Sequence, residues 1–291
     1  MRHCLQCETS FNGEGWECAN CGYQPDLHKG IPCFAPDIDD ANAFDVESYA
    51  DFGDSIERSY WFRPRNHLIA WAFNKYFPDA RDFLEVGCAT GFVLKGLAAG
   101  NPKLNLTGAD IYHEGLAMAA KKLGGRADFM QLNALSLPFR GHFDVIGAFD
   151  VVEHIDDDVA AFEEFNRAVK PGGGIMIIVP RHMFLWSAVD DAARHKRRYS
   201  GAELSEKINR AGFEIIRQLS FGALTLPLQY LSRRIVKPKG EKLSDALEMV
   251  EMPGLAGYLL EKLLVLDQMF VRMGLDYPFG GSLMVIARKK A

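Results

Sequence analysis

The feature that most constrains the fold of this chain is a glycine turn at the end of an apolar stretch. Residues 82–87 are typical of a strand, and Gly87 and Gly91 then frame a turn into a helix predicted over 91–99. Such a strand, turn and helix present backbone N–H groups at the carboxyl edge of a parallel sheet, where α/β folds bind their ligands. We therefore expect an α/β protein that binds a ligand at this turn.

Strand-like and helix-like segments alternate on both sides of the turn. The strand candidates are 82–87, 104–110, 127–131, 143–149 and 174–179, and the helix candidates between them are 91–99, 113–123 and 157–169. This alternation predicts a doubly wound, mostly parallel sheet. Two more strands are expected at 213–220 and 282–288, which makes seven. The interval between these two strands predicts a helical insertion with a long helix over 255–273.

The glycine spacing departs from the dinucleotide-binding pattern. Gly-x-Gly-x-x-Gly would require glycines at positions 89 and 92, where this chain has Ala89 and Phe92. An acid, Glu85, stands two residues before Gly87 and is a poor neighbour for a pyrophosphate. The site is better suited to the cationic end of a ligand.

Residues 85–91, with the sequence Glu-Val-Gly-Cys-Ala-Thr-Gly, resemble the first motif of the class I S-adenosylmethionine-dependent methyltransferases. Residues 143–155 and 169–174 resemble later motifs of the ubiquinone-biosynthesis-like branch. The resemblance extends from about residue 60 to 221 and returns at 282–288. It implies a seven-stranded, Rossmann-like methyltransferase sheet and S-adenosylmethionine as cofactor.

The resemblance also implies where the cofactor binds. Asp110 ends the second strand, where the family holds the ribose hydroxyls, and residues 131–134 form the loop that contacts the adenine. Arg63 or Arg65 is expected to bind the methionine carboxylate bidentately. The predicted cofactor-binding residues are Arg65, Glu85, Gly87, Cys88, Ala89, Gly91, Asp110, Ile111, Asn133, Ala134 and Asp150.

Two segments are candidates for the acceptor side of the site. His154 follows the fourth strand, and its imidazole either accepts a hydroxyl proton near neutral pH or packs beneath the cofactor and caps a helix. The run at 195–199, His-Lys-Arg-Arg-Tyr, resembles an element of the same branch. It is expected to contact an anionic or hydroxylated acceptor, with a solvated basic loop as the alternative. The predicted catalytic residues are His154, His195, Arg198 and Tyr199.

Five of the six cysteines lie in the first 33 residues. Cys4, Cys7, Cys18 and Cys21 form two Cys-x-x-Cys pairs, which predict a tetrahedral structural zinc site, with iron as the alternative. His28 or Cys33 could replace a ligand. The segment resembles the zinc ribbons that precede some methyltransferase domains, including ribosomal RNA guanine methyltransferases.

These patterns divide the chain into a zinc-ribbon-like head at 1–33, an acidic linker at 34–57 and a methyltransferase domain at 58–291. The insertion at 222–280 is expected to form a lid or an interface. Packing on the domain or on a second subunit, as in a homodimer, and peripheral membrane contact remain alternatives for it.

The expected function is methyl transfer to a small-molecule or lipid-linked acceptor, at oxygen with carbon as the alternative, because residues 150–153 replace the Asn-Pro-Pro-Tyr type motif of many amino-group methyltransferases. The alternatives are an RNA methyltransferase whose ribbon and 194–198 loop bind phosphates, and a non-catalytic cofactor-binding scaffold. The net charge of -5 disfavours nucleic acid as a partner but leaves it open. No signal peptide and no apolar run of about 18 residues is visible, which predicts a cytoplasmic protein.

Overall fold

The computed structural model describes residues 1–13, 15–36, 53, 55–235, 252 and 254–290. The strands are β1 (Arg2–His3), β2 (Ser10–Phe11), β3 (Asp26–His28), β4 (Ile31–Cys33), β5 (Asp82–Val86), β6 (Asn105–Asp110), β7 (Ala127–Gln131), β8 (Phe143–Phe149), β9 (Val169–Pro180), β10 (Phe213–Phe221) and β11 (Ser282–Lys289). The helices are α1 (Phe62–Tyr76), α2 (Phe92–Gly100), α3 (His113–Leu123), α4 (Asp158–Ala168), α5 (Ala188–Ala192), α6 (Gly201–Arg210), α7 (Leu226–Ile235) and α8 (Gly254–Arg272). Two 3₁₀ turns span Val152–His154 and Met183–Leu185.

The central sheet has the order β10-β11-β9-β8-β5-β6-β7-β4-β3. β5 lies between β6 and β8 and pairs with both in parallel, so the strand order reverses direction at β5. β11 is antiparallel to both of its neighbours. The seven predicted strands and the doubly wound α/β fold are confirmed. The reversal at β5 creates a crevice at the carboxyl edge, which is where open α/β sheets bind ligands.

Helices cover both faces of the sheet because each presents one apolar stripe to it. On one face, α1 buries Leu68 and Ile69 in a cluster that also includes side chains of α2, α3 and α8. On the other face, α4 buries Phe162 and Phe165 in a second cluster with α6. The two layers hold β5 between them, so the crevice lies on a rigid support.

The head extends the sheet instead of standing apart from it. β4 pairs in parallel with β7 at Cys33 and Gln131, and β3 pairs with β4, which adds two strands to the predicted seven. Trp16 packs edge-on against Phe34 and Phe139, with ring centroids 4.6 and 5.5 Å away. Most of the predicted acidic linker, residues 37–52 and 54, lies outside the described residues.

The insertion contributes α7 and α8, and α8 matches the long helix predicted over 255–273. Residues 236–251 and 253 of the insertion lie outside the described residues. On α8, the side chains of Leu264 and Val271 are buried against the domain, while Leu255, Leu259 and Met269 are exposed. None of the described helices combines the length and apolarity needed to cross a bilayer.

Candidate cofactor and acceptor site

A cavity of about 820 Å³ opens in the crevice beside β5. Its volume falls within the roughly 300–1,000 Å³ range of small-molecule sites. Ten of the eleven predicted cofactor-binding residues line it, and Gly91 is the exception. His154, His195 and Arg198 also line the cavity, whereas Tyr199 does not. Residues separated by more than one hundred positions in the sequence therefore face one space.

The turn after β5 requires glycine. Gly87 has a φ of +76°, and a Cβ at this position would lie 2.3 Å from a methyl group of Val151. Gly91 has a φ of +75°, and its Cβ would lie 2.8 Å from a methyl group of Leu123. Both conformations disfavour other residues, so the turn stays close to its neighbours and leaves the cavity open above it.

Asp110 is fixed by two backbone donors at the end of β6. Its Oδ2 accepts from the Ala89 N–H at 2.8 Å, and its Oδ1 accepts from the Tyr112 N–H at 3.1 Å. Burial raises the pKa of Asp110, while these hydrogen bonds act in the opposite direction. Each carboxylate oxygen keeps a second lone pair, so the group can accept hydrogen bonds from two neighbouring hydroxyls of a ribose.

Glu85 is the clearest indication of a cationic ligand. Its side chain is buried, and its Oε2 has no hydrogen-bond partner among the described residues. Burial, and then the charge of Asp110, raise the pKa of Glu85 well above its usual range. An orphaned buried carboxyl oxygen calls for a partner. The ammonium group of S-adenosylmethionine would supply one, so these residues fit that cofactor.

The two arginines expected to bind the methionine carboxylate differ in position. Arg65 lines the cavity, forms a salt bridge with Asp150 and lies 4.7 Å from the ring of Phe62. Arg63 forms a salt bridge with Glu261 on α8 and is absent from the cavity lining. Only Arg65 is therefore placed to contact a ligand in the cavity.

The acceptor side is organised by Asp190, a carboxylate that no sequence motif indicated. Asp190 is fully buried and accepts from His195 Nδ1 at 2.9 Å, Arg198 Nε at 2.7 Å and Arg233 Nη1 at 3.0 Å. Burial alone would raise the pKa of Asp190, but the hydrogen bond from His195 and the nearby arginines lower it to about 2. Asp190 therefore stays ionised and orients three cavity-lining side chains.

Beside this carboxylate, the rings of His154 and His195 lie 5.0 Å apart. Burial, and then the charge of His195, lower the pKa of His154 to about 4. Burial, followed by the charge of Asp150, raises the pKa of Glu153 well above its usual range. Ligand atoms of Glu153, His154 and His195 all lie within 4.8 Å of one another. Carboxylate and imidazole donors in this arrangement could also hold a divalent cation.

The contacts of Tyr199 and of most of the basic run at 195–199 are structural. The Tyr199 hydroxyl donates to Asp158 at 2.7 Å, and burial together with that contact raises the pKa of Tyr199 above its usual range. Arg197 pairs with the same Asp158 at 2.9 Å, and Lys196 pairs with Asp156. These bonds tie the segment after β9 to the N-terminal end of α4.

The four cysteines predicted to bind a metal are brought together in the head. Their Sγ atoms all lie within 4.8 Å of one another, and the Cys4–Cys21 and Cys7–Cys18 pairs are each 3.6 Å apart. A tetrahedral zinc with bonds of about 2.3 Å requires sulfur separations of about 3.8 Å, so the group fits zinc.

Cys33 and His28 lie elsewhere in the head. The Cys33 Sγ is 3.5 Å from His113 Nε2, and the ring of His28 is 4.7 Å from that of His113. Both residues therefore lie where the head meets α3, and neither belongs to the four-cysteine group.

Comparison with known proteins finds a family match over part of this cavity. Residues 84–177 match the family model described as a methyltransferase domain. The matched region runs from β5 into β9 and includes Asp110, Asp150 and His154. The doubly wound sheet is accordingly the Rossmann-like methyltransferase fold.

Two relatives of this chain are also named as methyltransferases. A probable S-adenosylmethionine-dependent methyltransferase of Mycolicibacterium smegmatis is 29% identical over 162 residues, which cover 55% of this chain and 61% of the relative. The ubiquinone biosynthesis O-methyltransferase of Pseudomonas aeruginosa is 25% identical over 130 residues, which cover 42% and 55%. The chain therefore spans less than two thirds of the length of each relative.

Solved structures share the fold at low sequence identity. A chain in the complex between the Haloferax volcanii Trm112 methyltransferase activator and a methyltransferase has a TM-score of 0.56 at 16% identity, covering 85% of this chain and 99% of its own. The cyclase SpnF also has a TM-score of 0.56, at 20% identity, covering 84% and 93%. The same fold is therefore found in a protein named as a methyltransferase and in one named as a cyclase. The fold alone does not define the reaction, which depends on the residues of the site.

Proposed function

We propose that this protein is an S-adenosylmethionine-dependent methyltransferase that methylates a hydroxyl group of a small-molecule or lipid-linked acceptor. The observation that carries the proposal is the single cavity in which Glu85 and Asp110 face the same space as His195. The match to a methyltransferase domain supports methyl transfer. The relative named as an O-methyltransferase supports oxygen as the acceptor atom.

The cofactor side of the cavity binds and orients. Asp110 would accept hydrogen bonds from the ribose hydroxyls of S-adenosylmethionine, Glu85 would pair with its ammonium group, and Asn133 and Ala134 would border its adenine. S-adenosylmethionine supplies an activated methyl group on a sulfonium sulfur. Holding that methyl in line with an acceptor oxygen is the main catalytic requirement. Two reactants that are bound in the right orientation have a much smaller entropic barrier than the same two reactants free in solution.

The acceptor side removes a proton. His195 donates from Nδ1 to Asp190, so its Nε2 is the nitrogen that accepts the hydroxyl proton as the oxygen attacks. Asp190 acts as a positioning residue that fixes this tautomer. His154 packs beside His195, and burial together with the charge of His195 lowers the pKa of His154 to about 4.

The arrangement disfavours RNA as the acceptor. Lys196 and Arg197 each pair with a carboxylate, namely Asp156 and Asp158. Cations that are already neutralised contribute little to the phosphate contacts that dominate RNA affinity. A small acceptor that enters the cavity agrees better with these contacts.

Cofactor binding is tested by isothermal titration of S-adenosylhomocysteine into the wild type and two variants. Asp110→Asn is expected to weaken binding by at least about tenfold, because hydrogen bonds to a charged group contribute about 1.5–3 kcal/mol each. Asp128→Asn, at an exposed position on β7, is the matched control and should bind like the wild type. A wild-type protein that fails to bind S-adenosylhomocysteine would overturn the proposal.

Catalysis is tested by transfer of a labelled methyl group to a panel of hydroxylated metabolites. His195→Gln is expected to lower kcat, because its side chain no longer offers an imidazole nitrogen to the hydroxyl proton, with unchanged S-adenosylhomocysteine affinity. A parallel assay with a chelator distinguishes proton abstraction by His195 from metal binding by Glu153, His154 and His195. Turnover that is abolished by chelator and restored by Fe²⁺ or Ni²⁺, ions that suit imidazole ligands, would assign Glu153, His154 and His195 to a metal and would contradict the base role.

A further inference from the structure

Two arginines on the acceptor side of the cavity share one carboxylate. Arg198 and Arg233 both line the cavity and both pair with Asp190. The two guanidinium groups therefore carry two positive charges against one hydrogen-bonded carboxylate.

The hydrogen bonds of Arg233 leave part of its guanidinium available. Its Nη1 donates to Leu185 O, Ser187 Oγ and Asp190 Oδ2, each at 3.0 Å. Across the part of the chain that the structure describes, its Nε and Nη2 donate to no protein acceptor. In Arg198, Nε and Nη1 are used by Asp190 and Arg181 O, and Nη2 is similarly unengaged within that part.

Neighbouring titratable groups respond to this excess charge. Burial, and then repulsion from Arg198, lower the pKa of Arg233 to about 10. Burial, and then the charges of Arg181 and Arg198, lower the pKa of His182. Unpaired positive charge in a buried wall is costly, and an anion that enters the cavity would relieve it.

We propose that the methyl acceptor carries an anionic group, a carboxylate or a phosphate, and that Arg233 binds this group together with Arg198. The inference rests on the proposed function, since it concerns the acceptor of that reaction. Arg233 would contribute the guanidinium edge that Asp190 leaves unused. The arginine fork suits the paired oxygens of either anion.

The same contacts limit the distance between the anion and the methylated hydroxyl. Asp190 binds His195 through Oδ1 and Arg233 through Oδ2, so one carboxylate lies between the base and the anion-binding guanidinium. An acceptor that contacts both residues carries its hydroxyl and its anionic group on one compact scaffold, and ortho-hydroxy aromatic acids are simple probes of this kind.

A matched pair of probes tests the inference on protein saturated with S-adenosylhomocysteine. Salicylate carries a carboxylate beside a hydroxyl, and salicylamide is its neutral analogue of nearly the same shape. We expect salicylate to bind at least about tenfold more tightly by isothermal titration, the ratio that corresponds to about 1.4 kcal/mol. Inorganic phosphate as a competitor separates the two anions: displacement of salicylate by millimolar phosphate assigns a phosphate site, and no displacement assigns a carboxylate site.

Variants of two neighbouring arginines on α7 test which residue causes the preference for salicylate over salicylamide. Arg233→Gln should reduce the ratio of salicylate to salicylamide affinity to near unity, and Arg233→Lys should keep most of it. Arg234→Gln is the matched control, because Arg234 is exposed and stacks over Tyr230. It should leave the ratio unchanged. Thermal melting of each variant shows that it is folded before the titration.

The outcomes separate this inference from the proposed function. If S-adenosylhomocysteine binds but salicylate and phosphate do not, or if salicylate and salicylamide bind equally, the anionic acceptor is rejected and the methyltransferase proposal stands. If S-adenosylhomocysteine itself does not bind, the proposed function fails first. A tenfold preference that survives in Arg233→Gln would reject Arg233 as the anion-binding residue.

Discussion

At the scale of single residues, Asp190 carries the largest share of the site's electrostatics. It is the common partner of His195, Arg198 and Arg233, so its removal would leave one buried and two partly buried donors without their shared acceptor. Breaking a buried ion pair by deleting one partner costs about 3–5 kcal/mol. We predict that Asp190→Asn lowers the free energy of unfolding by about this amount in urea titrations at pH 7, whereas the exposed neighbour variant Asp191→Asn changes it by less than about 0.5 kcal/mol.

The same residue gives a pH dependence with a defined sign. The pKa of Asp190 is lowered from 3.8 to about 2 in the folded protein. The stabilisation it provides is therefore complete above about pH 4 and is lost as the pH falls towards 2. Comparing the wild type with Asp190→Asn between pH 6 and pH 3 checks this: the difference in unfolding free energy should shrink over the lower part of the range. A difference that grows on acidification would contradict the assignment.

Some residues of the site can be recognised from a short sequence pattern, and others only from the contacts that distant segments make in the structure. Glu85 and Gly87 were predictable because a strand end followed by a glycine turn is a pattern within a few positions of sequence, and Asp110 followed from the resemblance, which implies an acid at the end of the second strand. Asp190 and Arg233 were not, since each acquires its importance from partners supplied by other segments. Arg233 and Arg234 are indistinguishable in sequence, and only the orientation of α7 places one in the cavity wall and the other in solvent.

At the scale of elements, the sequence predicted the central strands of the sheet but not the edge that β3 and β4 form. Each strand from β5 to β9 is a short apolar run with a helical pattern after it or before it, so its hydrophobic period alone indicates its type. The pairing of β4 with β7 depends on contacts between residues about one hundred positions apart. The head therefore looks like a separate ribbon in sequence, although in the structure it forms one edge of the sheet.

That edge contact leads to the cofactor cavity through Gln131. The buried Gln131 side chain accepts from Ala35 N at 2.9 Å and donates to Ala35 O at 2.7 Å and Ile111 O at 3.1 Å. Ile111 follows Asp110 and lines the cavity. We predict that Gln131→Ala weakens S-adenosylhomocysteine binding by about three- to tenfold, because unsatisfied buried backbone groups cost about 1–3 kcal/mol and loosen this loop.

A second glutamine supplies the control for this prediction. Gln218 on β10 donates to Gly201 O at 3.3 Å and to Ser205 on α6, and it is absent from the cavity lining. Gln218→Ala should lower the melting temperature while leaving the affinity for S-adenosylhomocysteine unchanged. Equal loss of affinity in both variants would mean that Gln131 acts through general stability alone.

At the scale of the whole molecule, the head and the sheet should unfold together. The loop between Cys7 and Cys18 carries Trp16, which packs on Phe34 beside β4 and on Phe139 after β7. A head of about thirty residues buries too little apolar surface to fold alone, so bound metal would supply much of its folding free energy. Loss of the metal would then release Trp16 and weaken the edge of the sheet that leads to the cavity.

This coupling predicts the result of metal removal. Elemental analysis of the purified protein should find one zinc per chain, retained in Cys33→Ser and lost in Cys18→Ser, because only Cys18 belongs to the four-cysteine group. The zinc-free protein should melt in a single transition at a lower temperature, and it should bind S-adenosylhomocysteine more weakly because β4 no longer supports Gln131. An unchanged main transition with full affinity would show instead that the head is an independent module whose metal does not stabilise the cofactor site.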